Sequence, residues 1–186
     1  MQLNTANTLT WIRIAGIPLF VVLFYLPYEW GRPASAVVFM LAAITDWLDG
    51  YVARKLGQIT PFGEFLDPVA DKLIVAVALV LLVQTDQRIS LALVAAIIIG
   101  REITVSALRE WMAGLGQRTT VAVSMVGKVK TALQMIGLTL MVWHLDTGGL
   151  PVYDAGFLFL LAAAGLTLWS MYAYVKAAWP VLNANS

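Results

Sequence analysis

The sequence has no cysteine and a single histidine among 186 residues. Disulfide staples, zinc–thiolate centres and thiol nucleophiles are therefore excluded, and any metal site must be built almost wholly from oxygen ligands. Charge is scarce as well. Asp, Glu, Lys and Arg make up 12% of the chain, about half of the ~25% usual in a soluble domain. A net charge of +1, with the basic residues scattered, leaves no basic stripe to hold nucleic acid. Hydrophobic residues account for 60% of the chain and the mean hydropathy is +0.81. These values exclude disorder and leave too little polar surface to coat a globule in water. The chain is expected to be an all-α integral membrane protein forming one domain over residues 1–186. Its first residues, MQLNTANTLT, lack the basic n-region and small-residue cleavage site of a signal peptide, so the N-terminus is expected to be the mature one.

Long uncharged runs are also few. A transmembrane helix needs about 20 mostly apolar residues, and only 155–175 offers that length without a charge. Shorter uncharged runs occupy 14–28, 34–45, 73–85, 89–100 and 131–145. Turn-forming stretches at 31–33, 85–87 and 146–151 lie between some of them. Each run becomes a full span if its helix continues through a polar end, giving 9–28, 34–56, 64–84, 89–111 and 122–145. Threading six such helices alternately through a bilayer brings every polar end to one side. Arg13, Arg54, Lys55, Lys72, Arg101, Arg109, Arg118, Lys128, Lys130 and Lys176 fall on that side, and only Arg32 and Arg88 fall on the other. The positive-inside rule makes the rich side cytoplasmic, with both termini there. Ionisable residues at one depth in five of the six helices imply a polar cavity open to the cytoplasmic side.

Acidic residues concentrate within this pattern. Asp46 and Asp49 are spaced i, i+3, with Gly50 and Ala53 following on nearly the same face; Asp67 and Asp71 are spaced i, i+4, with Gly63 one turn earlier. A short turn around 58–61 folds one helix back on the next, so four carboxylates are expected to converge. Like charges that close cannot all stay ionised alone. Divalent cations resolve the conflict, and an all-oxygen donor set selects Mg²⁺ or Mn²⁺ over zinc. Two ions would give the clamp that stabilises attacking and leaving oxygens in displacement at phosphorus. Small side chains at Gly50, Ala53 and Gly63 let a large ligand approach the backbone, and Arg54 is placed to contact a phosphate or nucleotide.

The pattern Asp46-x-x-Asp49-Gly50-x-x-Ala53-Arg54, eight residues, then Gly63-x-x-x-Asp67-x-x-x-Asp71 resembles the complete signature of the CDP-alcohol phosphotransferase family. The resemblance implies a six-helix membrane enzyme, usually a homodimer, that transfers a phospho-substituted group from a CDP-linked donor to an alcohol and releases CMP. It implies that Asp46, Asp49 and Asp67 bind metal, and that Asp71 binds metal and takes the acceptor's proton as general base. Gly50, Ala53, Arg54 and Gly63 would form the CDP site.

The signature leaves the alcohol open, so the remaining cations bear on it. Arg101, Arg109, Arg118, Lys128 and Lys130 gather near the cytoplasmic ends of the fourth and fifth spans. A phosphorylated acceptor accounts for so much positive charge; a neutral or zwitterionic one does not require it. The stretches NTLTWIR (7–13), REITVSALREWMAGLG (101–116) and VGKVKT (126–131) resemble the bacterial branch of the family that makes phosphatidylglycerol phosphate. That likeness implies attack of sn-glycerol 3-phosphate on CDP-diacylglycerol in the bacterial inner membrane, at a site facing the cytoplasm. It places Asn7, Thr10 and Arg13 near the nucleotide, and Arg101, Arg109, Lys128 and Lys130 around the acceptor phosphate, with Thr131 a weaker candidate. Inositol phosphate, serine or phosphatidylglycerol remain as alternative acceptors, and a divalent-cation transporter as the alternative outside enzymology. His144, beside Trp143, is expected to be an interfacial residue far from the acids.

Overall fold

The structure, a computed structural model, describes residues 5–56, 61–114, 125–145, 149 and 151–184. Among them the chain forms six helices and no strand: α1 (Thr5–Tyr25), α2 (Gly31–Leu56), α3 (Pro61–Thr85), α4 (Ile89–Gly114), α5 (Met125–Trp143) and α6 (Val152–Ala184). The polar ends are helical. The second helix runs through Asp46, Asp49 and Arg54, the third through Asp67 and Asp71, and the fourth through Arg101, Glu102 and Arg109.

Several boundaries differ from the sequence expectation, each for a local reason. The first helix stops at Tyr25 rather than at 28, because Pro27 disfavours helical geometry at Leu26 before it; a bond from the Leu26 N–H to the Leu23 carbonyl (3.3 Å) closes the last turn. The fifth ends at Trp143, where His144 takes a left-handed φ of 59°, a conformation that terminates a helix. His144 also sets its ring edge-on to Tyr153 at 5.1 Å. The sixth helix continues nine residues past 175 to Ala184; a single lysine at 176 ends an apolar run without ending a helix.

Two stretches, Ile89–Met112 and Val152–Lys176, are long and apolar enough to cross a membrane. Only 33% and 28% of their most apolar windows are buried, unlike a helix in the core of a water-soluble protein. Large apolar side chains such as Leu19, Val22, Val80, Leu93, Leu158 and Trp169 face outward. This outward apolar coat marks a membrane-associated protein.

Inside, Phe20 lies 6.2 Å from Phe24 and 5.8 Å from Phe39, joining α1 to α2. Leu79, Leu82, Leu91, Ile98, Leu138, Met141 and Leu160 complete the core and are fully buried. In lipid such burial gains little hydrophobic free energy, so close packing must hold the helices together. The tightest crossing is between α5 and α6. A Cβ on Gly137 would stand 2.8 Å from the Gly156 carbonyl oxygen, and one on Gly156 would stand 2.8 Å from that of Gly137. Only glycine at both positions allows these backbones to touch.

The end of the bundle remote from the acids of α2 and α3 is tied by a second ionic group. Asp86, between α3 and α4, accepts hydrogen bonds from the Arg88 Nε (2.8 Å), the Arg88 N–H (3.0 Å) and the Tyr153 hydroxyl (2.6 Å). Arg88 also donates to Asp154 at 3.1 Å and lies over the Tyr153 and Phe157 rings, 5.2 and 4.8 Å from their centroids. Burial pushes the Asp86 carboxyl up, but the hydrogen bonds from Tyr153 and Arg88 outweigh it and hold the group below the ordinary carboxylate range.

Candidate active site

At the charged end, α1, α2, α3, α4 and α5 enclose a cavity of about 250 Å³. Its polar walls are Arg13, Asp71, Lys72, Glu102, Lys130, Thr131 and Gln134; Ala42, Ala43, Ile74, Val75 and Met135 supply the apolar part. The alanines of α2 leave the room that larger side chains would fill.

Arg13 is drawn deep into the bundle. Its side chain is 1% exposed, and Nη1 donates to Asp71 Oδ1 at 2.7 Å. The Asp71 side chain remains 39% exposed, so its carboxylate is oriented by the guanidinium yet reachable from the cavity. Next to it, the Lys72 ammonium donates to the Ser106 hydroxyl, which in turn donates to the Glu102 carbonyl at 2.6 Å. This ties α3 to α4 at the level of the acids.

Glu102 is the hub of a second buried set. Its Oε1 accepts from the Lys130 ammonium at 2.8 Å and from Arg101 Nη1 at 2.9 Å. Arg101 Nη2 donates to the Ser170 hydroxyl on α6 at 3.1 Å, and its guanidinium lies 5.6 Å from the Tyr174 ring centroid. One carboxylate thus joins cations of α4 and α5, and one of those cations reaches α6. The arrangement gives a single oxyanion two positive donors, the geometry with which a phosphate oxygen is also held.

The expected acceptor-side residues therefore separate. Lys130 is buried and lines the cavity; Thr131 lines it too, with its hydroxyl donating back to the Gly127 carbonyl at 3.0 Å. Lys128 is exposed and does not line this cavity. Arg101 is buried behind Glu102 rather than on the cavity wall, so it acts on the space through that carboxylate. The expectation for Arg13 also shifts: it sits on the Asp71 carboxylate. Side-chain placement at Asn7, Thr10, Asp46, Asp49, Gly50, Ala53, Arg54, Gly63, Asp67 and Arg109 lies outside the described residues, as does Arg118.

Sequence reasoning assigned no role to Lys72, Glu102, Ser106, Gln134 or Ser170. Gln134 and Glu102 did carry a signal, since each is a strongly polar residue within an otherwise apolar span. The pairing of Glu102 with Lys130 depends on how α4 and α5 rotate against each other, which no single helix pattern contains.

Among the described residues no three His, Cys, Asp or Glu side chains come together. The donor chemistry nevertheless fits a hard divalent ion. Asp71 presents carboxylate oxygen to the cavity, Asp67 is one turn away on the same helix, and only residues 57–60 separate α2, with Asp46 and Asp49, from α3.

Comparison with known proteins shows which family the chain resembles. A family model described as CDP-alcohol phosphatidyltransferase matches residues 3–172. A Pseudomonas fluorescens protein named CDP-diacylglycerol–glycerol-3-phosphate 3-phosphatidyltransferase is 54% identical over 184 residues, covering 98% of this chain and 94% of its own. Proteins of the same name from Salmonella paratyphi A and Yersinia pestis are each 51% identical, over 178 and 179 residues. Each alignment covers 96% of this chain, with 96% of the Salmonella protein and 97% of the Yersinia protein.

Proposed function

The chain belongs to the CDP-alcohol phosphatidyltransferase family, and from that premise we propose that it transfers the phosphatidyl group of CDP-diacylglycerol to sn-glycerol 3-phosphate, giving phosphatidylglycerol phosphate and CMP. The observation that carries this reading is the cavity itself. It joins Asp71, the last carboxylate of the eight-position signature, to the buried cation Lys130, so a proton acceptor and a phosphate-binding group border one small space.

In this mechanism Lys130, backed by Arg101 through Glu102, binds the acceptor's phosphate. Arg13 holds the Asp71 carboxylate toward the acceptor hydroxyl, and Asp71 removes the hydroxyl proton. The hydroxyl oxygen forms a bond to the phosphorus bearing diacylglycerol as the bond from that phosphorus to the CMP oxygen breaks. Asp46, Asp49, Asp67 and Asp71 would hold Mg²⁺ or Mn²⁺, which would supply charge neutralisation for the diphosphate. Gly50, Ala53, Arg54 and Gly63, with Asn7 and Thr10, form the nucleotide subsite.

The donor is itself a membrane lipid, and the walls suit sideways entry. Apolar grooves between α3 and α4, α2 and α5, and α1 and α2 each share residues with the cavity or its Arg13 wall. The six helices cross the bacterial inner membrane with both termini and the charged end on the cytoplasmic side, as the ten-to-two division of basic residues favours. The working form is a homodimer, as the family resemblance implies.

The test is CMP release from CDP-diacylglycerol by the purified protein, with glycerol 3-phosphate, inositol phosphate, serine and phosphatidylglycerol offered in turn. Release with glycerol 3-phosphate alone is expected. Release with a different acceptor overturns the substrate assignment, and divalent-cation flux into liposomes without any CMP release overturns the enzyme assignment.

A further inference from the structure

Gln134 is 6% exposed, sits on α5 one turn from Lys130 and lines the cavity. Its amide makes no hydrogen bond to any described residue. Along the same walls Arg13 donates to Asp71 and Lys130 donates to Glu102. A strongly polar side chain this far inside the bundle, bordering a cavity, is placed to bond a group of a bound ligand.

The chemistry of that ligand group follows from the amide. A carboxamide both donates and accepts, which matches a hydroxyl; a phosphate oxygen only accepts, and Lys130 one turn away already serves it. The cavity, of about 250 Å³, has space for a three-carbon polyol phosphate. With the phosphate on Lys130 and the attacking terminal hydroxyl on Asp71, one hydroxyl lies between them on the middle carbon.

We propose that Gln134 is a specificity-determining residue that hydrogen-bonds the middle, non-reacting hydroxyl of the acceptor. The inference rests on the reading that this cavity takes a polyol phosphate. It gives the enzyme a means of distinguishing glycerol 3-phosphate from a chain of the same length and charge without that hydroxyl. The bond also fixes rotation about the carbon chain, so the terminal hydroxyl is held at Asp71.

The experiment compares glycerol 3-phosphate with 3-hydroxypropyl phosphate, which lacks only the middle hydroxyl, in CMP-release assays of the wild type and of Gln134→Met. Methionine keeps the length of the side chain and removes the amide. Wild type is expected to prefer glycerol 3-phosphate by at least about tenfold in kcat/KM, and the variant to bring that ratio close to one, mainly by losing rate on glycerol 3-phosphate. Both acceptors are assayed on one preparation, so any change in the folded fraction cancels from the ratio. An unchanged ratio in Gln134→Met overturns the proposal, whether both rates fall together or neither moves. Failure of the underlying reading would be seen separately, as absence of CMP release by wild type with glycerol 3-phosphate.

Discussion

The two ends of the bundle both carry buried or half-buried ions, yet they use them differently. At the end remote from the signature acids, Asp86, Arg88, Tyr153 and Asp154 bond to one another, and the Arg88 guanidinium is further covered by two rings. These bonds are turned inward and clasp the α3–α4 connection to the start of α6. At the other end, Asp71 keeps more than a third of its side chain open, and Gln134 borders the cavity without a hydrogen bond to any described residue. Charge by itself therefore does not mark a site. What distinguishes a site from a clasp is polar capacity left unspent around a space that a ligand can enter.

That contrast predicts a graded set of outcomes. The largest belongs to Asp71→Asn, which keeps the shape of the side chain and removes its basicity. Transfer should fall by about 10²–10⁴-fold, the range lost with a general base, while helix content by circular dichroism stays unchanged. Next comes a comparison within one helix. Lys130→Met should raise the KM for glycerol 3-phosphate by roughly ten- to a hundredfold, because it removes the phosphate contact and leaves Glu102 short of a partner. Exposed Lys128→Met should change the same KM less than about twofold; equal effects at the two positions would erase the distinction drawn from burial.

Smaller effects test the scaffold. Gly137→Ala places a methyl group against the α6 backbone, and overpacking of this kind costs about 1–3 kcal/mol. Its melting temperature should drop by several degrees, while the same change at Gly165, where no neighbour lies within 4 Å of the added carbon, should not lower it. The smallest effect belongs to the remote clasp. Because the Asp86 carboxyl is held below its ordinary range when folded, the stability it contributes is present above that range and lost as pH falls through the lowered value. Thermal melts of wild type should therefore weaken on the acid side, and Asp86→Asn should show a shallower acid slope with unchanged transferase activity at neutral pH.

Much of the fold was legible because apolar runs separated by turn residues encode helices, and the signature acids lie on two of them. Helix ends were less legible. Pro27 ended α1 early through its effect on Leu26, whereas Lys176 did not end α6, since polarity at a membrane boundary carries no backbone signal. The Gly137–Gly156 contact required knowing which faces of α5 and α6 meet. In the site, Asp71 and Lys130 were readable from charge inside apolar spans. The separation of Lys130 from Lys128 could have been anticipated from helical phase, two residues apart being on different faces. Glu102 as the partner of Lys130, and Gln134 as a wall of the cavity, emerge only from the packing of α4 and α5 around α3.

The most direct measurement is incorporation of labelled glycerol 3-phosphate into lipid, followed alongside CMP release, for wild type and Asp71→Asn purified in parallel. The account predicts one glycerol phosphate entering the lipid phase for each CMP released by wild type, and both products lowered together by about a hundredfold or more in the variant. Wild-type rates of both products from Asp71→Asn would contradict it.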